Sequence, residues 1–123
     1  MLNTLESLFK LARERKNNPV EGSYTNKLLK DKSLSKEKVL EEINELIESV
    51  EKNTNKIHEA ADVFYHLIMY LEANDVKIED VMEELSKRKK WATTITIYLQ
   101  KYLKGKFLVK KFMRINLFYL FMI

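Results

Sequence analysis

The chain has 123 residues, 33% of them Asp, Glu, Lys or Arg, with one Pro, two Gly and no Cys. That length suits one domain with a limited core, the missing Cys excludes disulfides and thiolate metal sites, and the scarcity of Gly and Pro favours long helices over turn-rich β structure. Residues 1–88 hold all 18 Asp and Glu with 14 Lys and Arg, a balance of −4, whereas residues 89–123 hold 8 Lys and Arg and no acid, so the basic pI belongs to the C-terminal segment and no nucleic-acid partner is expected.

The first ten residues carry Glu6 and no long apolar run, so no signal peptide is read and the cytoplasm is the expected compartment. A first helix is predicted over 4–16, with Asn3 as N-cap, Glu6 as its capping-box partner and Leu5, Leu8, Phe9 and Ala12 as the core stripe. Pro19 cannot continue it. Residues 20–35 read as a polar connection containing Ser23-Tyr24-Thr25-Asn26-Lys27-Leu28-Leu29. Hydroxyls beside a lysine suit phosphate binding; the same spacing also suits a solvated linker with one helical turn, capped by Ser23 and anchored by Leu28 and Leu29, and taken alone it favours the linker.

A second helix, 36–51, takes Ser33 or Ser35 as N-cap and is expected to bury Val39, Ile43, Leu46, Ile47 and Val50. Asn53-Thr54-Asn55 interrupts it before a third helix, 56–73, which is apolar over most of its circumference through Ile57, Ala60, Ala61, Val63, Phe64, Leu67, Ile68 and Leu71. So short a connection makes the two helices antiparallel neighbours. Asn74-Asp75 leads into a fourth helix, 78–90.

Two acidic clusters lie on the second and third helices. Residues three apart share a helical face, so Glu42 with Glu45 and Glu59 with Asp62 form two carboxylate pairs that the hairpin can bring together. Four converging negative charges repel one another, and a hard divalent cation relieves them; Mg2+ takes oxygen ligands and engages phosphates. The bland alternative is a solvated acidic face, although Glu59 and Asp62 stand in an apolar segment where unpaired carboxylates are rare. His66 falls on the same stripe as Asp62 and is expected to orient it; His58 has no assigned role.

Four stretches in this order carry a family resemblance: Ser23-Tyr24-Thr25-x-Lys27-Leu28-Leu29, Lys38-Val39-x-Glu41-Glu42-x-x-Glu45, Glu59-Ala60-Ala61-Asp62-x-x-Tyr65-His66-Leu67 and Glu79-Asp80-Val81-x-x-Glu84-Leu85-x-x-Arg88. Residues 1–88 resemble the phosphoribosyl-ATP pyrophosphohydrolases, the histidine-biosynthesis branch of the all-α, MazG-like nucleotide pyrophosphatases. The resemblance implies a four-helix bundle completed by homodimerisation and acting on a small nucleotide substrate. It implies Mg2+ ligands at Glu42, Glu45, Glu59 and Asp62, a water-orienting carboxylate at Glu41 or Glu45, and substrate contacts from Ser23, Tyr24, Thr25 and Lys27. Arg15, with Arg13 and Lys16, is a weaker substrate candidate. The implied reaction is hydrolysis of phosphoribosyl-ATP to phosphoribosyl-AMP and pyrophosphate. The alternatives are a pyrophosphatase for another nucleoside triphosphate and a non-catalytic helical interaction module.

The chain departs from the family pattern at Leu40 and Ile43 beside the glutamates, at Asp31-Lys32-Ser33 where a Gly is usual, and most of all in a basic, apolar tail over 89–123. The final apolar run, 115–123, falls well short of the ~20 residues that cross a bilayer. The tail reads as an amphipathic membrane or partner contact, as an added helix or strand, or as an A+T-rich gene read out of frame, with the last preferred to either of the others.

Overall fold

The computed structural model describes residues 3–102 and is all-α, with no strand among them. Its helices are α1 (Asn3–Asn17), α2 (Tyr24–Lys30), α3 (Lys32–Lys52), α4 (Lys56–Ala73) and α5 (Ile78–Tyr102). The chain divides into two compact units, Met1–Ile78 and Glu79–Ile123.

In the first unit α4 is the central element, packed against α1, α2 and α3. The core is small: Ala12 of α1, Leu28 and Leu29 of α2, and Ile68, Met69 and Ala73 of α4 are buried, with Leu5, Leu8, Phe9, Leu34 and Tyr65 packed around them. Asn3, expected as an N-cap, is the first residue of α1 itself, and its carbonyl accepts from the Ser7 hydroxyl at 2.8 Å.

The segment expected to be mostly linker contains α2. Ser23 caps it, its hydroxyl accepting from the Asn26 N–H at 3.4 Å. Gly22 adopts φ +74, a left-handed conformation open to glycine, just before that cap. Burial of Leu28 and Leu29 outweighs the modest helix propensity of Tyr24, Thr25 and Asn26. Asp31 ends α2 and starts α3, its side chain accepting from the Leu34 N–H at 3.0 Å. The second predicted helix therefore begins four residues early, and its cap is Asp31 in place of Ser33 or Ser35.

The face that α3 turns inward also differs from expectation. Ser35, Val39, Glu42 and Ser49 are buried, a stripe at helical spacing, whereas Ile43, Ile47 and Val50 are exposed together with Leu40. On α4 the apolar surplus behaves likewise: Ile57, Phe64 and Leu67 are exposed while Ile68 and Met69 are buried. Both helices thus carry more apolar residues than this chain's own core takes up.

The fourth predicted helix, 78–90, continues to Tyr102 as α5. Extending a formed helix costs far less than nucleating one, and no Gly or Pro interrupts residues 91–102. The hydroxyls of Thr93, Thr94 and Thr96 bond back to the carbonyls of Lys89, Lys90 and Ala92, absorbing side chains that would otherwise compete for backbone groups. The earlier part of α5 carries the one-turn ion pairs Glu83–Lys87 and Glu84–Arg88. No helix among the described residues is long and apolar enough to cross a membrane. The readings of the tail beyond Tyr102 lie outside the described residues.

Candidate functional site

The hairpin of α3 and α4 turns at Asn53, which caps α3 in a left-handed conformation, its N–H reaching the Ser49 and Val50 carbonyls. An antiparallel pair sets residues equally distant from the turn opposite one another, so the acids in the middle of α3 face the first turns of α4. Glu59 lies in the first turn of α4, where the helix dipole favours negative charge. Carboxylate oxygens of Glu42, Glu45 and Glu59 all lie within 4.8 Å of one another. Glu42 is buried, 8% exposed, Glu59 is half-buried and Glu45 is exposed.

Desolvation first, then the charges of Glu42, Glu59 and Glu41, hold Glu45 above the usual carboxylate range. An all-oxygen, anionic donor set of this size fits a hard divalent cation, which removes the repulsion that raises Glu45. Asp62, expected as a fourth member, stands outside the group. Its Oδ2 lies 3.3 Å from Nε2 of His58, one turn earlier on α4. His58, given no role from sequence, stands against one oxygen of the carboxylate expected at the metal.

Around this cluster the remaining candidates divide. Glu41 is exposed and its carboxylate accepts from Lys38 Nζ at 2.5 Å, an ion pair that raises the affinity of Lys38 for its proton. Lys38 is half-buried and sits one turn before Glu41, a spacing visible in the sequence that drew no assignment. His66, expected to orient Asp62, meets only that residue's backbone: Nδ1 is 2.9 Å from the Asp62 carbonyl and 3.6 Å from Glu42 Oε1. The carboxylate it addresses is Glu42.

The predicted substrate segment is tied to α4 by two hydroxyl contacts. Tyr24 Oη lies 3.2 Å from His66 Nε2, and Thr25 Oγ1 lies 2.8 Å from Tyr65 Oη. The Tyr24 and Tyr65 rings both meet His66 edge-on. Desolvation is the main reason that the Tyr24 hydroxyl is held above its usual range, with Tyr65, Glu42 and Glu41 adding to it against Lys38. Tyr24 thus stands in the electrostatic field of the acidic cluster. Lys27 projects from α2 and is exposed, while Ser23 is engaged as the cap.

Asn26, to which the sequence pattern assigns no role, holds this segment in place. It is 5% exposed, its Oδ1 accepts from the Val20 N–H at 2.8 Å, and its Nδ2 donates to the Arg15 carbonyl at 2.6 Å. The second bond satisfies a carbonyl in the last turn of α1, where helical partners run out. Arg15 thereby contributes its backbone to the segment; its guanidinium lies 3.8 Å from Glu14.

Arg13 and Lys16 of α1 serve the opposite end of α4. Arg13 Nε donates to Glu72 Oε1 at 3.1 Å. Lys16 Nζ donates to the Glu72 carbonyl at 2.7 Å and to Asp75 Oδ1 at 2.6 Å, a cation placed at a helix C-terminus.

A family model described as phosphoribosyl-ATP pyrophosphohydrolase matches residues 3–89. The chain is similar to the phosphoribosyl-ATP pyrophosphatase of Methanococcoides burtonii, 41% identical over 93 residues that cover 72% of this chain and 94% of the relative. It is similar to that of Streptococcus thermophilus, 48% identical over 89 residues covering 68% of this chain and 84% of the relative. It also resembles the histidine biosynthesis bifunctional protein HisIE of Pyrococcus furiosus, 40% identical over 92 residues, 72% of this chain but 43% of the relative's length. No solved structure matches the chain.

Proposed function

Because the chain belongs to the phosphoribosyl-ATP pyrophosphohydrolase family, we propose that it hydrolyses phosphoribosyl-ATP at the α–β phosphoanhydride, releasing pyrophosphate and phosphoribosyl-AMP in histidine biosynthesis. The observation that carries the chemistry is the convergence of Glu42, Glu45 and Glu59 within 4.8 Å. These three residues would hold Mg2+, with Asp62 joining them once it parts from His58. Bound there, Mg2+ supplies charge neutralisation of the triphosphate and polarisation of a phosphoryl oxygen.

The protein's own groups do the rest. An attacking water forms a new oxygen–phosphorus bond at the α-phosphorus as the bridging bond to pyrophosphate breaks, and a carboxylate takes the water's proton. Glu45 is assigned this role over Glu41, whose carboxylate is held by the Lys38 ammonium. Tyr24, Thr25 and Lys27 are assigned to the substrate, Lys27 as a point charge for phosphate, and Ser23 and Arg15 to shaping the segment that presents them.

The catalytic domain is assigned to residues 1–88, with 89–123 as an appended tail. A homodimer is supported by Leu40, Ile43, Ile47 and Val50 on α3 and Ile57, Phe64 and Leu67 on α4, exposed apolar residues on the two helices that build the site. The absence of Cys accords with the cytoplasm.

Pyrophosphate release from phosphoribosyl-ATP, compared with ATP, dCTP and dUTP, tests the assignment. Release from phosphoribosyl-ATP with phosphoribosyl-AMP as co-product is expected; release from another triphosphate alone would keep the site chemistry and discard the pathway. A folded chain silent toward all four would be an interaction module.

A further inference from the structure

The substrate segment and the acidic cluster belong to different helices, yet one buried side chain touches both. His66 is 7% exposed, with Tyr24 of α2 against Nε2 and Glu42 of α3 beside Nδ1. The chemistry of its partners orders its protons. The Asp62 carbonyl can only accept, so Nδ1 at 2.9 Å carries the hydrogen. In the neutral ring Nε2 then accepts, and Tyr24, whose hydroxyl keeps its proton, is the donor at 3.2 Å. A flipped ring would set a carbon against the Asp62 carbonyl and lose both bonds. With the ring edge-on to Tyr24 and Tyr65, the imidazole has one orientation, and in it Nδ1, whose N–H is donated to the Asp62 carbonyl, stands 3.6 Å from Glu42 Oε1 and packs beside that carboxylate.

We infer that His66 is a positioning residue that couples the seating of Tyr24 to the orientation of Glu42, so that the substrate segment and the metal-binding carboxylates are set together. The inference rests on the reading of Glu42 as a ligand. It gives His66 no proton to transfer. Its consequence is that Tyr24, which reaches none of the three carboxylates by hydrogen bond, controls cation affinity through the imidazole.

The test is Mg2+ affinity of the full chain without nucleotide, measured by calorimetry for the wild type, Tyr24→Phe, His66→Phe, His66→Asn and the Tyr24→Phe/His66→Phe double variant. Removing the partner that orients a ligand typically weakens metal binding by about tenfold or more, and that is expected for His66→Phe. His66→Asn, whose amide N–H replaces Nδ1–H, should recover part of it. Tyr24→Phe should cost about threefold in the wild type and nothing in the His66→Phe background, the signature of residues acting as one unit. Equal losses from Tyr24→Phe in both backgrounds, or full affinity in His66→Phe, would overturn the inference. Nitrogen-15 NMR of the metal-free chain gives a readout independent of the cation: a proton on Nδ1 of His66 is expected, and one on Nε2 would refute it. A wild type with that tautomer but no Mg2+ binding would reject the metal reading, and this inference with it; binding indifferent to both variants would reject this inference alone.

Discussion

The two ends of α4 treat acidic residues in opposite ways. Toward its C-terminus, Glu72 and Asp75 are each met by a cation from α1, Arg13 and Lys16. Toward its N-terminus, Glu59 is brought against Glu42 and Glu45, and no lysine or arginine among the described residues is bonded to any of the three. The first arrangement fastens a helix; the second holds a repulsion that a bound cation or a proton relieves. The lesson is that a carboxylate's role depends on whether the fold supplies its counter-charge.

The largest effect that would sharpen this contrast is expected at the uncompensated end. Glu45→Gln should lower pyrophosphate release by at least ~100-fold through loss of the proton acceptor, while leaving the thermal midpoint in EDTA unchanged or higher because a repelling charge is gone. A midpoint that falls, measured by circular dichroism, would assign Glu45 a fastening role. At the compensated end the outcome reverses. Glu72→Ala removes a buried charge-assisted hydrogen bond and should cost about 1–3 kcal/mol in chemical denaturation without changing the response to Mg2+.

The smallest effect is a pH dependence. The hydrogen bond from Lys16 lowers the folded-state pKa of Asp75 below the ordinary carboxylate value, so its stabilisation is present above the unfolded pKa and is lost as pH falls through the folded one. Asp75→Asn should therefore lower stability slightly at neutral pH, where this exposed pair contributes, and leave the most acidic end of a stability–pH curve unchanged, flattening the acid limb between them. A variant whose loss was the same at every pH, or appeared only in acid, would show that the pair does not act this way.

Much of this was legible from residues alone, for reasons that can be named. The hairpin followed from Asn53-Thr54-Asn55 between two periodic segments, and the approach of Glu42, Glu45 and Glu59 from helical spacing within it. Three features were not. Two stripes compete on α3, a mostly polar one through Ser35, Val39, Glu42 and Ser49 and an apolar one through Ile43, Ile47 and Val50; hydrophobic periodicity favours the second, and the structure buries the first. α2 owes its existence to Leu28 and Leu29 finding Ala12 and Met69, a tertiary effect that overrides local propensity. Asp62 stands against His58, whose i,i+4 spacing is readable in the sequence, but spacing cannot say which partner the carboxylate takes.

The central claim is that Glu42, Glu45 and Glu59 form one cation site that drives phosphoanhydride hydrolysis. The most direct measurement follows pyrophosphate release from phosphoribosyl-ATP as Mg2+ is titrated into the wild type and into Glu59→Gln, with folding of both checked in parallel. Saturable activation of the wild type, with Glu59→Gln shifted to much higher Mg2+ or inactive, is the predicted result. Equal activation of both, or release from phosphoribosyl-ATP at full rate in EDTA, would contradict the account.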